Sequence, residues 1–188
     1  MVGIVVAHED VEESHNRYTL EQLKLKLDKE GEAYEVVDLY QEEFDPVLSF
    51  KEEHPDLKRY ETFIETHNKF IFIYPIWWNA PPAILKGFLE IVFHQGFAFH
   101  FEPTGIPNVG RPIGHLKGKR AVTLTTSGSP TWLFWAYQRK RGKKVVKKDV
   151  LEMSGMTVKS YHTGGAQRLS DKTKGKIEKN VTKAVDWL

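Results

Sequence analysis

Apolar runs and helix-period stripes alternate along this chain. Residues 2–7 (VGIVVA), 33–39 (AYEVVDL), 69–75 (KFIFIYP), 120–126 (RAVTLTT) and 156–162 (MTVKSYH) are short β-branched or aromatic runs. Near-continuous runs of this length predict strands buried on both faces. Between them the period changes. Leu20, Leu23 and Leu27 share one face of a helix over 15–29, and Gly31 is its stop signal. Leu57, Tyr60, Phe63 and Ile64 do the same over 56–67. A third helix spans 82–93 and places proline in its first turn, where the missing N–H costs nothing. A fourth lies within 131–153. The last starts at Ser170 and Asp171, with Ile177, Val181, Ala184, Val185 and Leu188 on its apolar face. Residues 40–55 contain two Asp/His-Pro steps and predict an irregular connection.

Five strands alternating with five helices predict an α/β fold, a mostly parallel sheet with helices on both faces. No repeat or linker divides the chain, so 1–188 reads as a single domain. The helix over 82–93 stands out. Ile84, Leu85, Phe88, Leu89, Ile91, Val92 and Phe93 cover most of its circumference. A helix apolar all round is buried all round, so its outer face is expected to pack against a second subunit, giving a homodimer.

Composition narrows the chemistry. The 188 residues include no cysteine, which removes disulfides, thiolate metal sites and CxxC redox chemistry. The start has no basic segment ahead of an apolar one, and no apolar run reaches the roughly 20 residues that cross a bilayer; the expectation is cytoplasmic. Charge is uneven. Residues 1–65 carry 18 acids and 7 bases, whereas 66–188 carry 7 acids and 20 bases. A basic run between Arg139 and Lys148 could attract NADPH phosphates or merely be solvated. No nucleic-acid module surrounds it, so no nucleic-acid partner is expected. The eight histidines form no HExxH or other ligand spacing, so no metal is expected, and GxSxG is absent.

Open parallel sheets bind ligands at the carboxyl ends of their strands, and three such loops have unusual content. The first, AHEDVEESHNR, lacks the glycines of a dinucleotide turn or P-loop. It brings Ser14 and Asn16 to the start of a helix, where unpaired N–H groups suit a phosphate and where the same residues are also ordinary caps. The second, YPIWWNAPP, sets Trp77 and Trp78 between Pro75 and the Pro81-Pro82 pair. The prolines fix the backbone, so the N–H groups between them can be held toward a ligand edge. The indoles suit an apolar ligand crevice, or a core or dimer contact. The third, TTSGSP, offers hydroxyls and a glycine for close backbone approach, or a simple turn.

Together VVAH with SHN (4–16), DLYQEEFDP (38–46), YPIWWNAPPAILKGFLEIVFHQGFAF (74–99), GKRAVTLTTSGS (118–129) and SGM (154–156) resemble the flavodoxin-like NAD(P)H:quinone oxidoreductase family. The resemblance includes the small ancillary oxidoreductases of glutathione-gated potassium efflux systems. It implies a flavodoxin-like three-layer fold whose five core strands lie in the order 2-1-3-4-5. It implies FMN, with FAD as the alternative, and NADPH or NADH as electron donor. Hydride would pass through flavin N5 to a quinone-like acceptor by ping-pong kinetics. The alternative is a regulatory flavoprotein subunit docked on a membrane transporter. Residue by residue, it implies that His8, Ser14, His15 and Asn16 cradle the flavin phosphate. Pro75, Ile76, Trp77, Trp78 and Asn79 would run along the ring system, and Thr125, Thr126, Ser127 and Gly128 would meet its pyrimidine side. Phe99 and Phe101 would cover the substrate pocket, completed by a second subunit. No catalytic side chain is implied. The chain departs from the family pattern at Ser127, often glycine, and at Glu9, often proline. Glu9, Asp10, Glu12 and Glu13 beside a phosphate site are electrostatically awkward. His162, after the fifth strand, is expected on the surface.

Overall fold

A computed structural model describes residues 1–9, 11, 14–130, 132 and 141–188. The core is a five-stranded parallel sheet. Its strands are β1 (Val2–Val6), β2 (Tyr34–Asp38), β3 (Lys69–Pro75), β6 (Arg120–Ser127) and β7 (Thr157–Gly164), in the order β2-β1-β3-β6-β7. This is the expected order once two further strands, β4 (Phe99–Pro103) and β5 (Gly110–Gly114), are set aside as a separate antiparallel hairpin.

Strand period explains the layers. On one face Ile4, Ile71, Ile73, Val122 and Leu124 meet α1 (His15–Glu30) and α5 (Asp171–Val185) through Leu23, Leu27, Ile177 and Val181. On the other, Val5, Phe70, Phe72 and Tyr74 meet α2 (Leu57–Thr66), α3 (Ala83–Val92) and the segment after β6. That segment has an α-helical turn, α4 (Arg141–Lys144), that runs on as a π-helical stretch over Val145–Glu152. Wider π spacing suits its buried residues, Val146 and Leu151, which stand five apart. The first part of the helix expected within 131–153 falls outside the described residues, apart from Trp132.

Signals at helix ends act as read. Gly31 closes α1 in the left-handed conformation, φ 67°, and Ser170 caps α5 in a reciprocal box with Thr173. Pro82 sits one position earlier than expected, at the cap of α3.

The outer face of α3 is not left over for another subunit, as its all-round apolarity suggested. The chain's own 44–57 connection lies on it. Phe44 packs edge-on against Phe88 at 5.6 Å and against Tyr60 at 5.5 Å. Pro46 presses on Gly87 so closely that a Cβ there would come within 2.3 Å of the Pro46 carbonyl oxygen. Leu85, Phe88, Leu89, Ile91 and Val92 are all buried within one chain. What remains open is a cleft of about 610 Å³ between this connection and the end of α3, with Leu48, Phe50, Leu89, Phe93, Phe99 and Met153 among its walls.

Candidate functional site

The first, third and sixth strands end side by side, and their loops enclose a cleft of about 220 Å³. His8, Ser14, His15, Asn16, Pro75, Trp77, Thr126, Ser127 and Gly128 line it, all from the residues expected to bind a cofactor. The loop after β7 adds Ala166 and Gln167, which the sequence did not single out. The Gly164-Gly165 pair just before them was the available signal.

Helix α1 begins at the floor of this cleft. Ser14 has extended backbone, φ −67° and ψ 131°, and its hydroxyl accepts from the N–H groups of Asn16 (3.2 Å) and Arg17 (3.3 Å). It is a working N-cap. His15 is buried, and its Nε2 has no hydrogen-bond partner among the described residues. Burial pulls its pKa below the usual histidine value, against a backbone hydrogen bond at Arg168 that raises it. His15 therefore stands neutral at the floor. Asn16 is tied across the cleft: Thr126 Oγ1 donates to its Oδ1 at 3.2 Å. His8 Nδ1 donates to Glu9 O at 2.6 Å and lies 3.2 Å from Ser14 Oγ. Glu9 itself is exposed. Asp10, Glu12 and Glu13 lie outside the described residues.

The tryptophan loop is a tight hairpin turn. Trp77 N–H donates to Ala80 O (3.0 Å) and Ala80 N–H to Trp77 O (2.9 Å). The two residues between, Trp78 and Asn79, have φ 49° and 61°. Positive φ at both centres is the mirror-image turn that joins twisted strands most readily, and asparagine is one of the residues that tolerates it. Gly142 of α4 supports the turn from below; a Cβ there would come 2.9 Å from Ile76 Cγ2 and 3.2 Å from Asn79 O. The expectation that N–H groups along 76–79 point at a ligand is therefore narrowed. Ile76 N–H is spent on Thr126 O (2.7 Å), and Trp77 N–H on the turn. The indoles stand at the rim. Trp77 is half-exposed with its ring 5.7 Å from that of His8, and Trp78 is fully exposed.

Thr125 turns away from the cleft, toward β7. Its hydroxyl donates to Tyr161 O (3.2 Å) and meets His162 Nδ1 at 2.9 Å. His162 is not a surface residue. It lies within β7, part-buried, and burial followed by the Lys143 charge lowers its pKa to about 4. Phe99 and Phe101 are not brought to the cleft. They stack edge-on at 5.4 Å on the β4–β5 hairpin. The base of that hairpin is anchored where β6 and β7 begin: Leu116 N–H donates to Ser154 O at 2.8 Å, and Gly114 lies against Ser154. Parallel strands place that anchor at the end opposite the cleft.

This geometry has close relatives. Residues 2–188 match a family described by the flavodoxin-like fold. Smu.1420 of Streptococcus mutans UA159 is 32% identical, with a TM-score of 0.84 over 100% of this chain and 99% of that one. An NAD(P)H:quinone oxidoreductase of Methanothermobacter marburgensis is 25% identical, with a TM-score of 0.84 over 97% of this chain and 95% of that one. An FMN-dependent NADH:quinone oxidoreductase of Caldicellulosiruptor saccharolyticus is 30% identical over 106 residues, 56% of this chain and 49% of that one. The chain spans between about half and two thirds of the length of most of the curated relatives it matches. The matched family, the sheet order and the full-length structural likeness agree: the chain belongs to the family of flavodoxin-like fold that its residues 2–188 match.

Proposed function

We propose that this protein is a flavin-dependent NAD(P)H oxidoreductase that reduces quinone-like acceptors, with FMN as its cofactor. The observation that carries the reading is the cleft at the ends of β1, β3 and β6, lined by three loops that suit the parts of one ligand. A phosphate fits the floor. There α1 ends in its partial positive charge, and the buried His15 Nε2 lacks a partner among the described residues. A flat ring system fits the rim, between the half-exposed Trp77 and the hydroxyl-rich wall at Thr126 and Ser127. His15, Ser14 and Asn16 would hold the phosphate, and the 75–79 turn and 125–128 loop would hold the rings.

A bound flavin supplies the hydride chemistry. The chain's part is to bind, orient and exclude water. Beside a phosphate, His15 would offer Nε2–H by taking up a proton, because the one N–H of the neutral ring is committed to the Arg168 backbone. The Trp77 and Trp78 indoles give the open side an apolar wall against which a nicotinamide and then an acceptor can lie in turn.

We also propose that a second copy completes the substrate pocket. Phe99 and Phe101 stand at the far end of their own chain, so they can serve a cleft only from a neighbouring subunit. Support comes from the apolar surface beside them. Phe50 is 96% exposed, and Val47 and Leu48 are exposed too, along the 610 Å³ cleft that Phe99 lines. The contact surface is then the 47–50 connection and the hairpin, rather than the buried face of α3.

Mass analysis of the flavin released on denaturation, with NADH and NADPH oxidation assayed against a quinone, tests the first proposal. A yellow protein with quinone-dependent turnover is expected. A colourless protein that takes up neither FMN nor FAD overturns it. Sedimentation showing a monomer at micromolar concentration overturns the second.

A further inference from the structure

His15 brings one unpartnered nitrogen to the floor of the cleft. The residue is only 7% exposed and lines the cleft, and its Nε2 has no hydrogen-bond partner among the described residues. The backbone carbonyl of Arg168 takes the N–H of the other ring nitrogen. A neutral imidazole carries one N–H, so Nε2 keeps a lone pair and can only accept. The polar groups beside it are already spent as donors. The N–H groups of Asn16 and Arg17 go to Ser14 Oγ, the Thr126 hydroxyl to Asn16 Oδ1, and the Ser127 hydroxyl to Ser129 O (3.1 Å). A phosphate dianion offers only acceptors. Against a bare Nε2 it would set lone pair to lone pair in a buried place, where an unmade bond is costly. One added proton removes the conflict, since it turns Nε2 into a donor and puts a positive charge beside the anion. The positive end of α1 disfavours a charged ring standing alone and draws in the anion that would pair with it. The charged and titratable groups on the elements around the ring are His8 and Glu9 before α1, Arg17 within it, and Arg168, Asp171 and Lys172 from the loop after β7 and the start of α5. All but His8 are exposed, and Arg17 pairs with Glu21 at 3.2 Å. Among the described residues, burial holds His15 neutral and no side-chain charge adds to it.

We propose that His15 makes the floor proton-coupled and so sets its selectivity for a phosphorylated ligand: a phosphate monoester enters together with one proton from solvent, which bonds to Nε2 and is donated to a phosphate oxygen. The proposal rests on the flavin reading, in which the monoester is FMN. Its pH dependence follows from the proton count. Above about pH 7 neither the free ring nor the free phosphate, whose second pKa is about 6, holds that proton. The complex does, so FMN binding weakens about tenfold for each pH unit gained. Riboflavin has the same ring system and no phosphate, so its binding takes up no proton. The preference for the phosphorylated flavin therefore widens as pH falls.

The test is calorimetric titration of the flavin-free protein with FMN and with riboflavin at about pH 7 and about pH 8, in buffers of different ionisation enthalpy, which counts the protons taken up. The wild-type protein should take up close to one proton per FMN and bind FMN about tenfold more weakly at the higher pH, with neither effect for riboflavin. His15→Gln, whose amide donates without titrating, should bind FMN with no proton uptake and with the same affinity at both pH values; circular dichroism checks that it is folded. Uptake below about half a proton per FMN, uptake with riboflavin, or uptake that persists in His15→Gln and so belongs to His8, would overturn the proposal. NMR titration of the wild-type protein reads the same proton directly. FMN should raise the His15 pKa above the usual histidine value, and an unmoved titration rejects the coupling. If the wild-type protein binds neither flavin, the flavin reading fails instead. Inorganic phosphate then takes the place of FMN in the NMR titration: a raised His15 pKa upholds the proton-coupled floor, and an unmoved one rejects it.

Discussion

Lowering the pH from about 7.5 to about 4.5 should cost the protein about 2.5 kcal/mol through His162 alone. The folded chain lowers the pKa of this ring from 6.5 to about 4. As pH falls, the unfolded chain therefore takes up the proton first. Above the unfolded value both states are neutral, and the contribution is fully present. It is lost as pH falls through the window between the two values and is gone below the folded one. Each tenfold in proton affinity is worth about 1.4 kcal/mol, so the full contribution is about 3 kcal/mol, most of it spent by pH 4.5 or so. Urea unfolding of the wild-type protein and of His162→Gln at both pH values isolates the effect. His15 and the paired carboxylates titrate in both proteins and cancel in the difference. The wild-type protein should lose about 2.5 kcal/mol more than the variant between the two conditions. Equal losses would refute the picture of a part-buried neutral ring held between Thr125 and Ser127.

Other outcomes follow from single contacts. Gly87→Ala should destabilise by at least the roughly 1–3 kcal/mol typical of overpacking, since its Cβ meets the backbone of Pro46 rather than a movable side chain; thermal denaturation checks this. Ser14→Ala should cost about 1 kcal/mol by removing the α1 cap, and should weaken FMN binding as well, read by calorimetry. Trp78→Ala should leave stability within about 0.5 kcal/mol, because the indole is fully exposed, while raising KM for the acceptor in steady-state assays. If KM does not move, Trp78 is no part of the pocket.

The sheet was legible because its three central strands, β1, β3 and β6, are runs buried on both faces, a pattern that needs no knowledge of its neighbours. The cleft was legible in outline for the same reason, since its loops follow the strands. What stayed hidden depends on register or on distant chain. His162 looked like a surface residue because the partners that bury it, Thr125 and Ser127, come from another strand. The apolarity of α3 announced burial without saying what covers it, and the answer was Phe44 and Pro46 of the same chain. The β4–β5 hairpin escaped because it is largely exposed, so its sequence carries little buried alternation. The Trp78-Asn79 turn escaped because its backbone signs do not follow from two indoles and an asparagine.

That turn has an optical consequence. Trp77 and Trp78 stand in solvent at the mouth of the cleft, whereas Trp187 lies against Arg120 and Lys159 far from it. Indoles in water emit to the red of indoles in an apolar setting. A ligand that settles against the turn should both shift and dim this part of the emission while leaving the Trp187 contribution in place. The protein thus carries its own reporter of occupancy, and the order in which donor and acceptor arrive can be followed in a stopped-flow trace without any added label.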